Sequence, residues 1–384
     1  MPTGLVSTYD LTVGTKVNMD EAIYVLSPID SPMISGLDSD GLSVIGSAPT
    51  DQVRVDWMDE EILTPRSALG AASTTGDAFL QLSAASERLK FSTGDVLRVM
   101  KAGATEIIRV TGYSITTASI LLVTRGYDSS TATNYAGTET VIGLGTALAE
   151  GSDPEAARSV DRVTSYNMTQ IFGPTLIHMS GTEQVISKYG INNEFAHQAM
   201  RRTQENVISR EQAYVYGRRS DSGTTEIRTM GGLDYYVTTN VNSTSTQLTE
   251  VNISALQQTG FNRGGVSDRL MANPKSLTDL NDIANTSRVR QEVADYKRGR
   301  MPIMEFQSEY GVVTVVRNRW VHPLHAFLFS RENVTRRVLR PLILERLAKT
   351  GDSDKAQILC EETLEVKGEE HMAKWNNLTA YPDT

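Results

Sequence analysis

A few residues in this 384-residue chain have types and spacings that invite a chemical reading. "HPLH" sets His322 and His325 three apart, a spacing that can bring two imidazoles to one metal ion. Pro323 between them breaks any helix, and no Cys, Asp or Glu nearby completes a zinc set, so the pair reads as structural and no metal is expected. "GLGTALAEG", from Gly143, follows a β-branched run as a dinucleotide loop would, but it lacks the third glycine spacing and the acidic residue downstream. Glu60 with Glu61, and Asp221 near Arg218 and Arg219, have the composition of an acid and base pair, which ordinary charged surface also explains. Cys360 is the only cysteine; lying in the run "AQILCEETLEV", it reads as a small buried hydrophobe and forms no intrachain disulfide. With neither a GxSxG nor a Walker loop, the chain reads as a protein that is not an enzyme and uses no cofactor.

The composition narrows the class. The chain is 39% hydrophobic and 22% charged, enough for a sizeable core in one large or several modest domains. Its formal charge of −9 repels phosphate, so sequence-specific nucleic-acid binding is not expected. No apolar run approaches the roughly 18 residues of a membrane helix. Residues 1–20 lack the basic-then-apolar pattern of a signal peptide, so synthesis in a cytoplasm and no membrane contact are expected.

The elements change character along the chain. Residues 1–50 are short apolar words broken by Gly, Pro, Ser and Asp, with one helix candidate at "MDEAIYVL" capped by Asn18 and Glu21. In "SPIDSPMISGLDSDGL" the apolar residues Ile29, Met33, Ile34 and Leu37 need a surface to lie against. Val53, Val55 and Trp57 alternate as in a strand, and "SALGAASTTGDAF" beyond it reads as flexible. Residues 86–146 carry four short β-branched runs with turn clusters between them, the spacing of a small all-β barrel or sandwich without a helix. From Asn192 to Arg219 the absence of Gly and Pro before Gly217 predicts a rod of about 35–40 Å. Its stripe is Phe195, Met200, Val207, Ile208 and Tyr214; Arg201, Arg202, Arg210 and Glu211 fall on the remaining circumference, which is either a solvated face with pairs such as Arg201–Glu205 or a face that meets neighbouring subunits. Further on, "SALQQTGFNRGG" and "PKSLTDLNDIA" read as helices around the strand "DRLMAN". "EYGVVTVVRNRW" and "AFLFSRENVTRRVL" read as two strands of one sheet, and "ERLAKTGDSDKAQILCEETLEVKG" as a long hairpin.

Read in order, "DSPMISGL", "VDWMDEEIL", "EGSDPEAARSVDRVTSYNMTQIF", "MSGTEQVISKYG", "REQAYVYGR", "MGGLDYYV", "FNRGG" and "LRPLILERLAKTGDSDKAQILCEETLEV" span almost the whole chain. In this order they resemble the HK97-type major capsid proteins of tailed bacteriophages, and among them the SU10-like major capsid protein family.

The resemblance implies an α+β HK97-type fold with a small all-β insertion. Residues 1–50 would be an N-terminal arm, 51–75 and 151–170 the strands of an extended loop, and 76–150 an inserted β-barrel-like domain. Residues 171–244 would be a peripheral domain with its spine helix, 245–340 an axial domain, and 341–384 the peripheral hairpin. It implies a self-assembling icosahedral head that encloses double-stranded DNA without reading its sequence, located in the virion and made in a bacterial host. The partners would be further copies in hexamers and pentamers, with room for a decoration protein, a separate scaffolding protein and the portal. Candidate contacts between subunits are Ile29, Met33, Ile34, Leu37, Trp57, Glu60, Glu61, Arg66, Arg201 and Arg202. A nanocompartment shell of the same fold, or a surface glycosidase with a β carbohydrate-binding module, are the alternatives.

Overall fold

The structure, a computed structural model, describes residues 30–36, 43–60, 62–147, 150–151, 162–188, 191–221, 223, 227–278, 289–290, 305–349 and 351–379. Two compact units emerge: Asp59–Val163, and the chain up to Met58 together with Thr164–Thr384. Among the described residues no helix is long and apolar enough to cross a membrane.

The first unit is a six-stranded barrel. Its antiparallel strands run in the order Arg66–Ala68, Thr140–Thr146, Asp95–Met100, Ile107–Tyr113, Ile120–Thr124 and Phe79–Gln81. A bridge from Leu69 to Leu82 joins the two end strands and closes the sheet, removing its edges. Alternation turns Leu80, Leu97, Val99, Ile108, Leu121 and Val141 inward, each fully buried and worth roughly 1.5–3 kcal/mol of burial. Register shifts at Val96/Leu97 and Val110/Gly112 supply the bends a small barrel needs. At Gly70 a Cβ would lie 2.6 Å from the Leu82 carbonyl oxygen, so the closing strand admits only glycine there. The stretch 67–79 read as flexible is therefore corrected: it supplies two of the closing strands, with Leu69 and Ser73 buried and Ser73 bridged to Tyr135.

One end of the barrel is tied by a buried charge. Glu106, 0% exposed, takes a two-pronged ion pair from Arg125 at 2.7 and 2.9 Å. It also accepts from the amides of Gly126 (3.0 Å) and Thr133 (2.8 Å) and from the Tyr135 hydroxyl at 3.0 Å. Burial works to raise its pKa, but the Arg125 fork and the two amides outweigh it and hold the carboxyl below the usual range.

In the second unit a four-stranded sheet has the order Gly46–Pro49, Val334–Arg346, Ser353–Val366, Gln170–Ser180. The helix Glu194–Tyr216 packs against it, with Phe195 and Ala199 on Ile177, Ala356 and Ile358. Asn193 caps the helix by accepting from the Ala196 amide at 3.0 Å. Gly217 ends it where a Cβ would come within 2.5 Å of the Ala213 carbonyl oxygen. A seven-stranded mixed sheet runs Val241–Asn242, Ala373–Trp375, Ala326–Phe329, Arg269–Ala272, Gly311–Arg317, Glu305–Ser308, Val289–Arg290. Its central strand, buried along its whole length, separates two cores. Met271 joins Phe327 and Phe329 on one side, while Leu270 and Ala272 join Ile253 of helix Glu250–Asn262, Phe306 and Trp375 on the other.

Several expected boundaries move. Position 341 falls inside the strand Val334–Arg346, so the hairpin begins earlier, and Ala373–Trp375 leaves it for the seven-stranded sheet. "AFLFSRENVTRRVL" divides: Ala326–Phe329 belongs to the seven-stranded sheet and Val334–Arg346 to the four-stranded one. Arg269–Ala272 separates Ala326–Phe329 from Gly311–Arg317. The cap at Asn18 and Glu21 and most of "PKSLTDLNDIA" lie outside the described residues.

Candidate functional site

The long helix buries Asn206, Arg210, Glu211, Tyr214 and Val215. Arg210 and Glu211 are therefore not on the outer circumference, and Met200, placed in the apolar stripe, is half exposed. Arg210 forks onto Glu362, with its Nη2 2.8 Å from Oε2. Arginines lace the strand Ser353–Val366: Arg210 on Glu362, Arg228 and Arg340 on Glu361, and Arg337 on Glu365. The three carboxylates, Glu361, Glu362 and Glu365, are buried and would be costly unpaired. On the outer side Arg202 pairs with Glu205 at 2.6 Å and Arg201 donates to Gln204 at 3.1 Å, replacing the expected Arg201–Glu205 pair.

The segment Asp30–Gly36 lies on its own chain. Met33 is 2% exposed and sits in the core with Val44, Ile45, Tyr214 and Met230, and Ile34 packs against the same cluster. The Glu211 carboxylate receives the amides of Met33 (2.9 Å) and Ile34 (3.2 Å) and the Asn318 side chain at 2.7 Å. Burial pushes Glu211 up to about 7 against those donors and Arg210. Met33 and Ile34, expected to lie against a neighbouring subunit, are held by their own chain, in the core beside the long helix. Ile29 and Leu37 lie outside the described residues.

The ribbon Arg54–Glu60 paired with Arg162–Met168 is fixed at its root. Tyr166 is sandwiched between the Arg54 and Arg219 guanidinium groups, each 3.9 Å from the ring centre. Asn167, fully buried, donates to the carbonyls of Gly231 (2.9 Å) and Leu364 (2.6 Å) and accepts from the Gly231 amide at 2.8 Å. Trp57 stacks edge-on against Tyr236 at 5.4 Å and is buried in the same core as Met33, so it too is a contact within the chain. Glu60 and Arg66 remain exposed; Glu60 pairs with Arg162 at 3.2 Å, and Glu61 lies outside the described residues.

Exposed apolar side chains sit on regular structure. Leu176 and Ile343 point away from the long helix, on the face set by the pairings Leu176–Gln357 and Ile343–Leu359. Phe261 and Tyr310 stack 5.6 Å apart beside the exposed Val266 and Val312. Met58 and Val163 stand out from the ribbon.

The residues first read for chemistry are packed and tied. The Tyr216 hydroxyl accepts from the His322 amide at 2.8 Å and lies 3.1 Å from His325 Nδ1, and burial lowers the pKa of His325. Cys360 is buried, its thiol pushed up to about 11. Among the described residues no group of three or more His, Cys, Asp or Glu is placed to hold a metal ion.

The missed residues had a signal. Arg210 and Glu211 fall three and four positions from Val207 and Tyr214, on the apolar side of the helix. "LCEETLEV" places carboxylates on both faces of a strand that sits in the middle of its sheet.

The SU10 major capsid protein family model matches residues 5–379. No curated protein matches the sequence. The capsid asymmetric unit of Cyanophage A-1(L) superposes with a TM-score of 0.57 at 8% identity, over 97% of this chain and 100% of that one. Structures from Mycobacterium phage Bobi (TM-score 0.51, 9% identity, 98% and 99% covered) and Mycobacterium phage Adephagia (0.50, 8%, 99% and 100%) are similar. Identities this low carry the fold alone, and it is the HK97-type capsid fold with a small all-β insertion. Matched over nearly its whole length, the chain belongs to the SU10 major capsid protein family, a family of structural proteins and not of enzymes.

Proposed function

We propose that this major capsid protein closes an icosahedral head through hexamers and pentamers of itself and encloses double-stranded DNA without sequence-specific contacts. The observation that carries this reading is the match of the SU10 major capsid protein family model over residues 5–379; apolar side chains exposed on strands and a helix (Met58, Val163, Leu176, Ile343, Phe261) are candidate places for neighbours to cover. In this reading the ribbon Arg54–Glu60/Arg162–Met168 is the root of an extended loop, the four-stranded sheet with the long helix is the peripheral domain, and the seven-stranded sheet is the axial domain. The exposed Glu60, Arg66 and Arg202 and the half-buried Arg201 are its polar contacts with neighbours. The net charge of −9 suits a shell from which packaged DNA must slide free. A decoration protein, a scaffolding protein and the portal would meet the assembled shell rather than the single chain, and synthesis would take place in the host cytoplasm.

Electron microscopy of the purified chain tests this. Closed shells of uniform diameter are expected; amorphous aggregates or single chains under all assembly conditions would overturn it.

A further inference from the structure

The four-stranded sheet ends on the strand Gln170–Ser180, and the outer edge of that strand's second half meets no other strand among the described residues. The register fixes which backbone groups lie open there. The Gly181 amide donates to the Asp352 carbonyl at 3.1 Å, while the Lys355 carbonyl is turned the other way and accepts from the Leu347 amide at 2.9 Å. Backbone groups alternate sides along a strand, and His178 opposes Lys355. Ile177 and Met179 therefore bond to Ser353–Val366, and the amides and carbonyls of Leu176 and His178 point outward.

Such an edge is normally guarded by charge, proline or shortness. The opposite edge of the sheet is guarded in that way: Gly46–Pro49 is four residues long and ends in proline. From Thr175 to Ser180 the sequence "TLIHMS" has no proline, lysine, arginine or carboxylate, and its register is unbroken. Beside it Glu194, Gln198 and Arg202, on one side of the long helix, form the second wall of a groove of about 570 Å³. An open edge takes up an extended chain by strand addition, with backbone bonds giving affinity and the wall side chains giving selection.

We propose that Thr175–Ser180 is a strand-addition site whose occupant is a second copy of this chain, entering through its ribbon Arg54–Glu60/Arg162–Met168. The ribbon is a two-stranded sheet, and its strands of seven residues leave their outer edges open among the described residues. The edges of the seven-stranded sheet are too short to serve, since Val241–Asn242 and Val289–Arg290 have two residues each. Ribbon and groove are different surfaces, so the contact runs head to tail and repeats from copy to copy, as a closing ring requires. Self-assembly is the premise, and this contact names where one copy grips the next.

The test is amide hydrogen exchange on the purified chain, single and assembled. Exchange at Leu176 and His178 should slow at least about tenfold on assembly, and the ribbon should slow with them. Ile177 and Met179, already paired, should be protected in both states. Particles in which Leu176 and His178 exchange as they do in the single chain would overturn the proposal and leave the shell reading standing; failure to form particles at all would overturn both. Slowing at the edge without slowing in the ribbon would overturn the ribbon as the donor. His178→Pro removes an outward amide and no bond to Ser353–Val366, so it should leave exchange at Arg269–Ala272 unchanged and lose the particles. Normal particles from that variant would also overturn the proposal. The wild-type exchange decides even if the variant fails to fold.

Discussion

The barrel buries Glu106 completely and the helical unit Glu211, and the two behave in opposite ways. Glu106 in the barrel meets a guanidinium fork together with amides, and its proton affinity drops. Glu211 in the helical unit meets only neutral donors at hydrogen-bond distance, and its proton affinity rises. Burial acts on both in the same direction, so the partner's charge decides the outcome. The barrel spends its buried carboxylate on rigidity at neutral pH; the helical unit keeps one whose state can change.

The largest effect expected from this contrast is in the barrel. Arg125→Ala leaves Glu106 buried without its cation and should cost about 3–5 kcal/mol. Exchange in the strands Asp95–Met100 and Ile107–Tyr113 should accelerate while Arg269–Ala272 is unaffected. Unchanged barrel protection would mean that the amides and Tyr135 suffice to hold the charge.

Next in size is the pH profile. Glu106, with its pKa lowered, contributes stability that is present above the ordinary carboxylate range and lost as pH falls below it. Glu211, raised from 4.5 to about 7, contributes up to about 3 kcal/mol below that range, lost as pH rises through 7. Denaturant unfolding followed by exchange in each unit from pH 4 to pH 8 should give a flat contribution in the barrel that falls only at the acid end and a contribution in the helical unit that falls as pH rises through 7. The same profile in both units would remove the contrast.

Met33→Ala sharpens the comparison on the helical side. Deleting a buried methionine side chain costs about 2 kcal/mol at the low end of core truncations, and here the loss should appear as faster exchange at Ile34 rather than as global unfolding. The smallest effect on stability is expected from Arg201→Glu with Arg202→Glu, under about 1 kcal/mol because Arg202 is 44% exposed. The same double variant should block or alter assembly as measured by light scattering; normal particles would return that face to solvent.

The barrel's four longer strands were legible because β-branched runs between turn clusters leave few other readings. Its closing strands were not, because Arg66–Ala68 and Phe79–Gln81 are too short for alternation to register, and only the glycine at position 70 hinted at a close approach. The long helix announced itself by a stretch without Gly or Pro that stops at Gly217. Apolarity shows that Met33 and Trp57 are buried but not in whose core, which is why both were read as contacts between subunits. The buried ion pairs were hidden for a related reason: Arg210 and Glu362 lie 152 positions apart, and a lone charge in a pattern looks like surface until its partner is seen.

The claim on which the rest depends is that this chain is completed by copies of itself. Sedimentation and light scattering of the purified wild-type protein over a range of salt and concentration measure it directly. Closed particles far larger than about ten subunits are expected, and species that stay below that size under every condition would contradict it.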